Sequence, residues 1–483
     1  MCVKNQIKSN EKYIQSGVVS TCCYDDNAVL FNADTGKEKI INPMAFWIWQ
    51  KLESGQTIRQ IASYICKQFD VDSNNTVTSD VSNFLDEMLS AGFIEIFDDI
   101  QQRPHSRELF DLAERPGDFD ISLTGKCNLH CEYCFYANEM HGRPDLSIEE
   151  WFTFLDELGG LGVRSLTLSG GEVFVRKDLW EIIDYLIEKR MRYSILSNGT
   201  LITEETLQQF NKGKRMQRLN SIQVSIDGSR PEVHDKSRGK GSFERALRGL
   251  RLLKEVGFPV TSRVTINRHN LDDLESIADL LLNDVGLPSF GTNDAMPMGA
   301  GCDNQAGIVL QPQQQLQAII KMHQLEQNFP ERINATAGPL AKWRIYGEME
   351  HARATGEKTQ RWQMGYLTAC GCMFNKLAVH HDGVISPCNM LAGLELGRIN
   401  HDSIKTIWAT HPILQAMKDR RKIPMNQVPG CEDCEWAPYC NGSCPGLAHT
   451  MTGDFNRANP HDCYRDFLKA TGLTSETVPW GKS

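Results

Sequence analysis

A chain of 483 residues with 51 Lys and Arg against 61 Asp and Glu is too long for a single core, and its net charge of −10 excludes phosphate backbones and anionic membranes as general partners. No apolar run is long enough to cross a bilayer, and the opening MCVKNQIKSNEKYIQSG lacks the hydrophobic middle of a secretory signal, so a cytoplasmic protein is expected. Sixteen cysteines in so long a chain do not make a disulfide scaffold, because most of them are bunched in two places.

Residues 18–98 read as a small unit of their own. AVLFN and EKIIN suit strands on either side of a turn in NADTGK. Helical patterns follow around PMAFWIWQKL, TIRQIASYICKQF and TSDVSNFLDEMLSAG, each apolar on one face, the last stopping at Gly92. Strands followed by helices is a winged-helix order, whose commonest use is DNA binding. Here five Lys or Arg face twelve Asp or Glu, and a net −7 repels phosphate. Residues 99–117, DIQQRPHSRELFDLAERPG, are charged, carry two prolines and read as a linker.

From 118 strand and helix alternate. FDISLT, SLTLSG, YSILSN, SIQVSID, VTSRVTI and SFGTNDA are candidate strands, with amphipathic stretches such as SIEEWFTFLDELGGLG and DLWEIIDYLIEK between them. Six such repeats over 118–330 imply a parallel sheet, curled into a partial barrel or left open, with its reactive face where the strands end. A connecting segment at 331–365 then leads to a cysteine-rich unit at 366–470.

CNLHCEYCFY follows the first strand and places Cys127, Cys131 and Cys134 at C-x3-C-x2-C. Structural zinc closes with four ligands, and a cube of four irons normally takes four thiolates. Three leave one iron open to a substrate or cofactor. With this many cysteines a given three-cysteine spacing arises by accident roughly 0.02 times per chain, so the pattern is specific. Later strands end in SGGE (169–172), SNGT (197–200) and SIDG (225–228), the last followed by Arg238. Downstream stand Cys370, Cys372, Cys388, Cys431, Cys434, Cys440, Cys444 and Cys463, enough for two complete sets of four. Cys2, Cys22, Cys23, Cys66 and Cys302 lack ligand spacing and read as reduced thiols, and His380, His381, His449 and His461 as structural polar groups.

The C-x3-C-x2-C loop with the SGGE turn resembles the radical S-adenosylmethionine superfamily. The resemblance implies a partial (β/α)6 TIM barrel and a 4Fe-4S cluster on Cys127, Cys131 and Cys134, with S-adenosylmethionine on the fourth iron. It places Tyr133 as the aromatic residue before the third cysteine, and Gly170, Gly171 and Glu172 at the cofactor's amino group. Val173 stands where the family usually has Pro. Ser225 and Arg238 match the residues that hold ribose and carboxylate. Ser197 and Asn198 are further cofactor candidates that read equally as structural, and Asp227 reads equally as a turn former. No catalytic side chain is assigned.

The tail resembles the SPASM extension of peptide-modifying radical enzymes, which carries two auxiliary 4Fe-4S clusters. That pattern gives the first Cys370, Cys372, Cys388 and Cys444, one of the first pair being potentially spare, and the second Cys431, Cys434, Cys440 and Cys463. LFNADTGKEKIINPMAFWIWQKLESGQTIRQIASYICKQFDVD resembles the PqqD-like pyrroloquinoline quinone chaperone family, which implies binding of a precursor's leader as an added strand. Together these imply a maturase that abstracts hydrogen with a 5′-deoxyadenosyl radical and forms a thioether or carbon-carbon crosslink on a ribosomally made peptide, supplied with electrons by a flavodoxin- or ferredoxin-type donor. The rivals are a formylglycine-forming sulfatase maturase, a peptide epimerase and a non-catalytic iron-sulfur regulator. The sulfatase type has Asp where this chain has Asn389, and lacks the N-terminal unit.

Overall fold

The computed structural model describes residues 8, 11–16, 19–24, 27–32, 37–69, 75–97, 109–111, 115–138, 140, 142–359, 361–368 and 370–480. The expected turn at 33–36, Cys2, most of the 99–117 linker and the side chains of Cys22, Cys23 and Cys372 lie outside the described residues.

In the N-terminal unit the strands Val19–Tyr24, Asn27–Asn32 and Glu38–Ile41 pair antiparallel in that order. The helices Pro43–Lys51, Ile58–Phe69 and Asn75–Ser90 pack against them. The first helix starts cleanly because the Asn42 side chain accepts from Ala45 N–H at 2.8 Å and Pro43 occupies the first turn, where its missing N–H costs nothing. Leu30, Trp49, Leu52, Ile61 and Leu85 are almost wholly buried, and each contributes about 1.5–3 kcal/mol to the core. Gly92, at φ +79, lets the third helix end in a left-handed turn.

The structure adds strands here that the sequence did not announce, Val19–Tyr24 among them. Lys12–Gln15 pairs with Gln56–Thr57 and Ile94–Ile96, and Leu109–Asp111, within the linker, pairs parallel to Val19–Tyr24. With one side of the sheet taken by the linker, Glu38–Ile41 is the outer strand on the other.

The unit that begins at residue 118 is built on one parallel sheet. Its strands are β1 (Asp118–Ser122), β2 (Ser165–Ser169), β3 (Arg192–Ser197), β4 (Leu219–Ser225), β5 (Val260–Ile266) and β6 (Phe290–Asp294), the six expected, followed by β7 (Ile333–Ala335). They lie side by side in chain order. On the far side of β1 the sheet continues into the cysteine-rich unit through β8 (Lys376–Val379), parallel to β1, then β9 (Val384–Ser386) and β10 (Gly397–Arg398), both antiparallel. This register carries Cys388 back to the strand that the first cysteine loop leaves.

Alternation along each strand divides the sheet into two chemistries. Phe119, Ile121, Leu166, Leu168, Ile195 and Val224 face the helices and form the main core. The alternate positions, among them Asp120, Thr167, Ser194, Gln223, Arg263 and Asn293, are polar and only partly covered. A filled barrel packs such positions with branched apolar side chains. Here those positions stay polar and partly exposed. Among the described residues no helix is long and apolar enough to cross a membrane.

Candidate active site

Cys127, Cys131 and Cys134 leave β1 on a loop that is held from several sides. Gly171 N–H donates to Thr124 O at 2.8 Å and Glu172 N–H to Lys126 O at 2.9 Å, so the turn after β2 lies backbone to backbone on the cysteine loop. A Cβ at Gly170 would stand 2.5 Å from Thr124 O, and one at Gly171 2.3 Å from Lys126 O. The two glycines thus let one loop approach another, before any ligand is considered.

Leu129 N–H reaches Cys127 Sγ at 3.4 Å, a hydrogen bond suited to a thiolate. Burial pushes the Cys131 thiol up to about 12, with Arg238 pulling the other way, so the metal-free thiol keeps its proton at neutral pH. A bound iron would take the proton's place. Among the described residues no three His, Cys, Asp or Glu side chains converge as tightly as one metal ion requires. A cube of four irons holds its thiolates at separate corners, and three soft donors spaced along one open loop fit that group.

Glu172, Ser197 and Asn198 come together as a clasp. The Glu172 carboxylate, 1 % exposed, accepts from Ser197 O–H at 2.8 Å, Asn198 N–H at 2.7 Å and Phe174 N–H at 3.2 Å. Asn198 Nδ2 donates to Asn128 Oδ1 in the cysteine loop at 2.9 Å, and its own Oδ1 accepts from Thr200. These side chains tie the ends of β2 and β3 to the cysteine loop.

Tyr133, Asp227 and Arg238 form the opposite wall. The Tyr133 hydroxyl and Arg238 Nε both donate to Asp227 Oδ2, and the Arg238 guanidinium lies 5.5 Å over the Tyr133 ring. Asp227, fully buried, also accepts from Thr265 N–H at 2.7 Å. It is therefore more than a turn former: it joins β4, β5 and the cysteine loop and holds Arg238 beside Cys131 and Cys134. Ser225 ends β4 with its side chain on the partly covered inner face. Level with it, Arg263 reaches Gln223 Oε1 at 3.2 Å and Thr292 O at 3.4 Å.

Two parts of this site went unread in the sequence. The loop after β6 covers the cysteine loop: Ala300 N–H donates to Cys134 O at 3.0 Å, and a Cβ at Gly299 would stand 2.4 Å from that oxygen. The GAG of MPMGAG was the available signal. Secondly, Tyr136, two residues past Cys134, bonds His381 Nδ1 at 2.7 Å and stacks on His380 with centroids 5.6 Å apart. His380 Nε2 meets Ser386 Oγ at 2.7 Å, and Ser386 O–H donates to Cys388 O at 3.0 Å. A continuous buried contact therefore runs from the first cysteine loop to a cysteine of the tail.

Burial pushes His380 down to about 4, against about 6.5 in an unfolded chain. The native state binds fewer protons between those values, so its stability is complete above about pH 6.5 and is lost as pH falls toward 4. Going from pH 7 to pH 5 should cost about 2 kcal/mol through this residue. Chemical unfolding of the parent and of His380→Phe at both pH values checks it, the variant lacking that share of the loss.

In the tail, Cys431, Cys434, Cys440 and Cys463 line one small cavity of about 30 Å3. Gly442 N–H reaches Cys440 Sγ at 3.3 Å, and burial pushes Cys440 up to about 11 and Cys463 up to about 12. Four partly buried cysteines around one cavity fit a four-iron cube. Cys370, Cys388 and Cys444 act on one another electrostatically, Cys388 being pushed up to about 12 first by burial and then by the other two. Cys370 has a left-handed backbone at φ +62. His461 stands 3.9 Å from Asp294, and Lys342 bridges Asp294 and Asp462 at 3.5 and 2.8 Å, tying β6 to the tail.

Comparison with known proteins matches three family models in the order of these units: Coenzyme PQQ synthesis protein D over residues 27–94, the Radical SAM superfamily over 121–281, and the SPASM iron-sulfur cluster-binding domain over 370–435. The AdoMet-dependent heme synthase of Methanosarcina barkeri is 28% identical over 348 residues, 71% of this chain and 95% of the relative. The antilisterial bacteriocin subtilosin biosynthesis protein AlbA of Bacillus subtilis is 24% identical over 404 residues, 83% of each chain. The fold is that of Streptococcus suis SuiB, crystallised with its precursor peptide SuiA: TM-score 0.63 over 94% of this chain and 100% of that one, at 13% identity. With the open three-cysteine loop, the glycine turn packed on it and the cysteine-rich tail behind them, the chain is an enzyme that carries a radical SAM domain binding S-adenosylmethionine and a 4Fe-4S cluster, with a PqqD domain before it and a SPASM domain for auxiliary clusters after it.

Proposed function

We propose that this enzyme crosslinks a ribosomally made precursor peptide, forming a thioether or carbon-carbon bond. The observation that carries the reading is the acidic N-terminal unit with its outer strand Glu38–Ile41, on which Ile40 is 75% exposed. An extended leader adds to such a strand through backbone hydrogen bonds, with Ile40 offering an apolar contact for one side chain. The tether then raises the concentration of the peptide's core segment at the polar inner face of the sheet. AlbA and SuiB, by their names a bacteriocin biosynthesis protein and a protein crystallised with a precursor, support the same substrate class.

When bound, the first cluster and S-adenosylmethionine supply a deoxyadenosyl radical able to remove hydrogen from an unactivated carbon. This chain's part is placement. Ser225 and Arg238 hold the cofactor's ribose and carboxylate, the backbone of Gly170–Glu172 its amino group, and the loop at 295–301 keeps water from Tyr133 and the cysteines. Asn389 adjoins Cys388 with its Oδ1 buried and without a protein partner among the described residues. An amide accepts no proton at neutral pH, which disfavours the formylglycine reading, where a carboxylate base is used.

The test is anaerobic reconstitution with dithionite and S-adenosylmethionine, followed by mass spectrometry of peptides from small reading frames beside this gene. Loss of two hydrogens from such a peptide, dependent on its leader, is expected. Turnover of Fe-coproporphyrin III with no response to any peptide would instead place the enzyme with the heme synthases. Ile40→Asp should weaken peptide binding by about tenfold, the worth of about 1.4 kcal/mol of apolar contact, while leaving peptide-free 5′-deoxyadenosine formation at the parent rate. Fluorescence anisotropy of a labelled leader measures the first and chromatography the second.

A further inference from the structure

Arg420 is 0% exposed, and all three of its guanidinium nitrogens donate to backbone carbonyls: Nε to Phe455 O, Nη1 to Thr368 O and Nη2 to Arg457 O at 2.9 Å. No carboxylate lies within ion-pair distance of it among the described residues. The charged groups that act on it are Cys444, Cys370 and the exposed Asp454. Carbonyl dipoles satisfy its hydrogen bonds but leave its net charge without a carboxylate partner in the interior, an unfavourable place for a cation. Leu, Met or Gln would fill this space more cheaply in a protein without iron. Its position is also specific: Thr368, whose carbonyl it holds, accepts from Cys370 N–H through Oγ1 at 3.2 Å, and Cys370 carries the left-handed backbone.

We propose that Arg420 is the counter-charge of the auxiliary cluster on Cys370, Cys388 and Cys444, a positioning and tuning residue that raises that cluster's reduction potential. A four-iron core with thiolate ligands is an anion, and more negative once reduced. A fixed cation beside it stabilises both states and the reduced one more. In the redox step one electron enters the core, from dithionite in the experiment below, and no proton moves, Arg420 remaining charged throughout. The inference rests on the iron-sulfur tail alone and survives if the substrate is not a peptide.

The test uses full-length protein carrying Cys127→Ala, Cys131→Ala and Cys134→Ala, so that only the two auxiliary clusters load. Potentiometric titration followed by electron paramagnetic resonance gives their two potentials. Arg420→Met should lower one potential by about 59 mV or more, a tenfold change in the one-electron equilibrium, and leave the other in place. Arg420→Lys should recover most of the shift, which a role confined to holding three carbonyls would not produce, since a single ammonium cannot span them. Two unmoved potentials, or equal shifts in both variants, overturn the proposal. Should Arg420→Met take up no iron, the metal-free proteins decide. An unpaired buried cation predicts a higher melting temperature for Arg420→Met than for its parent, and a lower one overturns the proposal.

Discussion

Gly171→Ala is expected to strip about one third of the iron from the reconstituted enzyme and to cut 5′-deoxyadenosine formation by about 100-fold, the scale on which a misplacement near 1 Å acts. The new Cβ would lie 2.3 Å from Lys126 O, 2.6 Å from its carbonyl carbon and 2.9 Å from Cys127 Cβ. No flexible side chain stands there to give way. Both backbones are fixed by the hydrogen bonds between Gly171 and Thr124 and between Glu172 and Lys126, so the strain moves Cys127 itself. Glu172 cannot follow, because its carboxylate is already held by Ser197 and Asn198. Iron assay, with auxiliary resonances retained, checks the first expectation and chromatography the second; full iron in the variant would show that the loops are not so locked. Gly160→Ala, at a helical glycine whose Cβ would meet nothing within 4 Å, is the control and should leave iron unchanged.

The parts of this site that the sequence disclosed are those whose chemistry is local. Thiolate spacing is fixed by the size of the cluster, so Cys127, Cys131 and Cys134 announce themselves within eight residues. Strands buried on one face alternate, so all six expected ones were readable. Lys12–Gln15 was missed because KYIQ sets two apolar residues side by side between two polar ones and so shows no alternation, and it becomes a strand only through partners at 56–57 and 94–96. SGGE was readable as a close approach of backbone, but what approaches, the cysteine loop, lies some 45 positions earlier. Arg420 sits in DRRK, which reads as a solvated run at a helix end; nothing local separates it from the exposed Arg421. Its burial is set by segments 35 to 52 residues away.

Asp227→Asn should cost about 3–5 kcal/mol of stability, the usual penalty for removing one partner of a buried ion pair, although it preserves shape and most hydrogen bonds. Both partners are buried, Asp227 at 0% and Arg238 at 8% side-chain exposure, so solvent does little to replace the lost charge. The double variant Asp227→Asn with Arg238→Met removes the stranded cation and should recover part of that loss. Activity should separate from stability. If Arg238 serves only to balance Asp227, the restabilised double variant regains cleavage of S-adenosylmethionine. If Arg238 holds the cofactor's carboxylate, as proposed, the double variant stays inactive and loses cofactor affinity by about tenfold or more, a hydrogen bond to a charged group being worth about 1.5–3 kcal/mol. Equilibrium binding of the cofactor to the reconstituted variants, read beside their unfolding curves, distinguishes the two. Asp227 then acts through Arg238 and Tyr133, as the carboxylate that sets the angle between a guanidinium and an aromatic ring beside the cysteine loop.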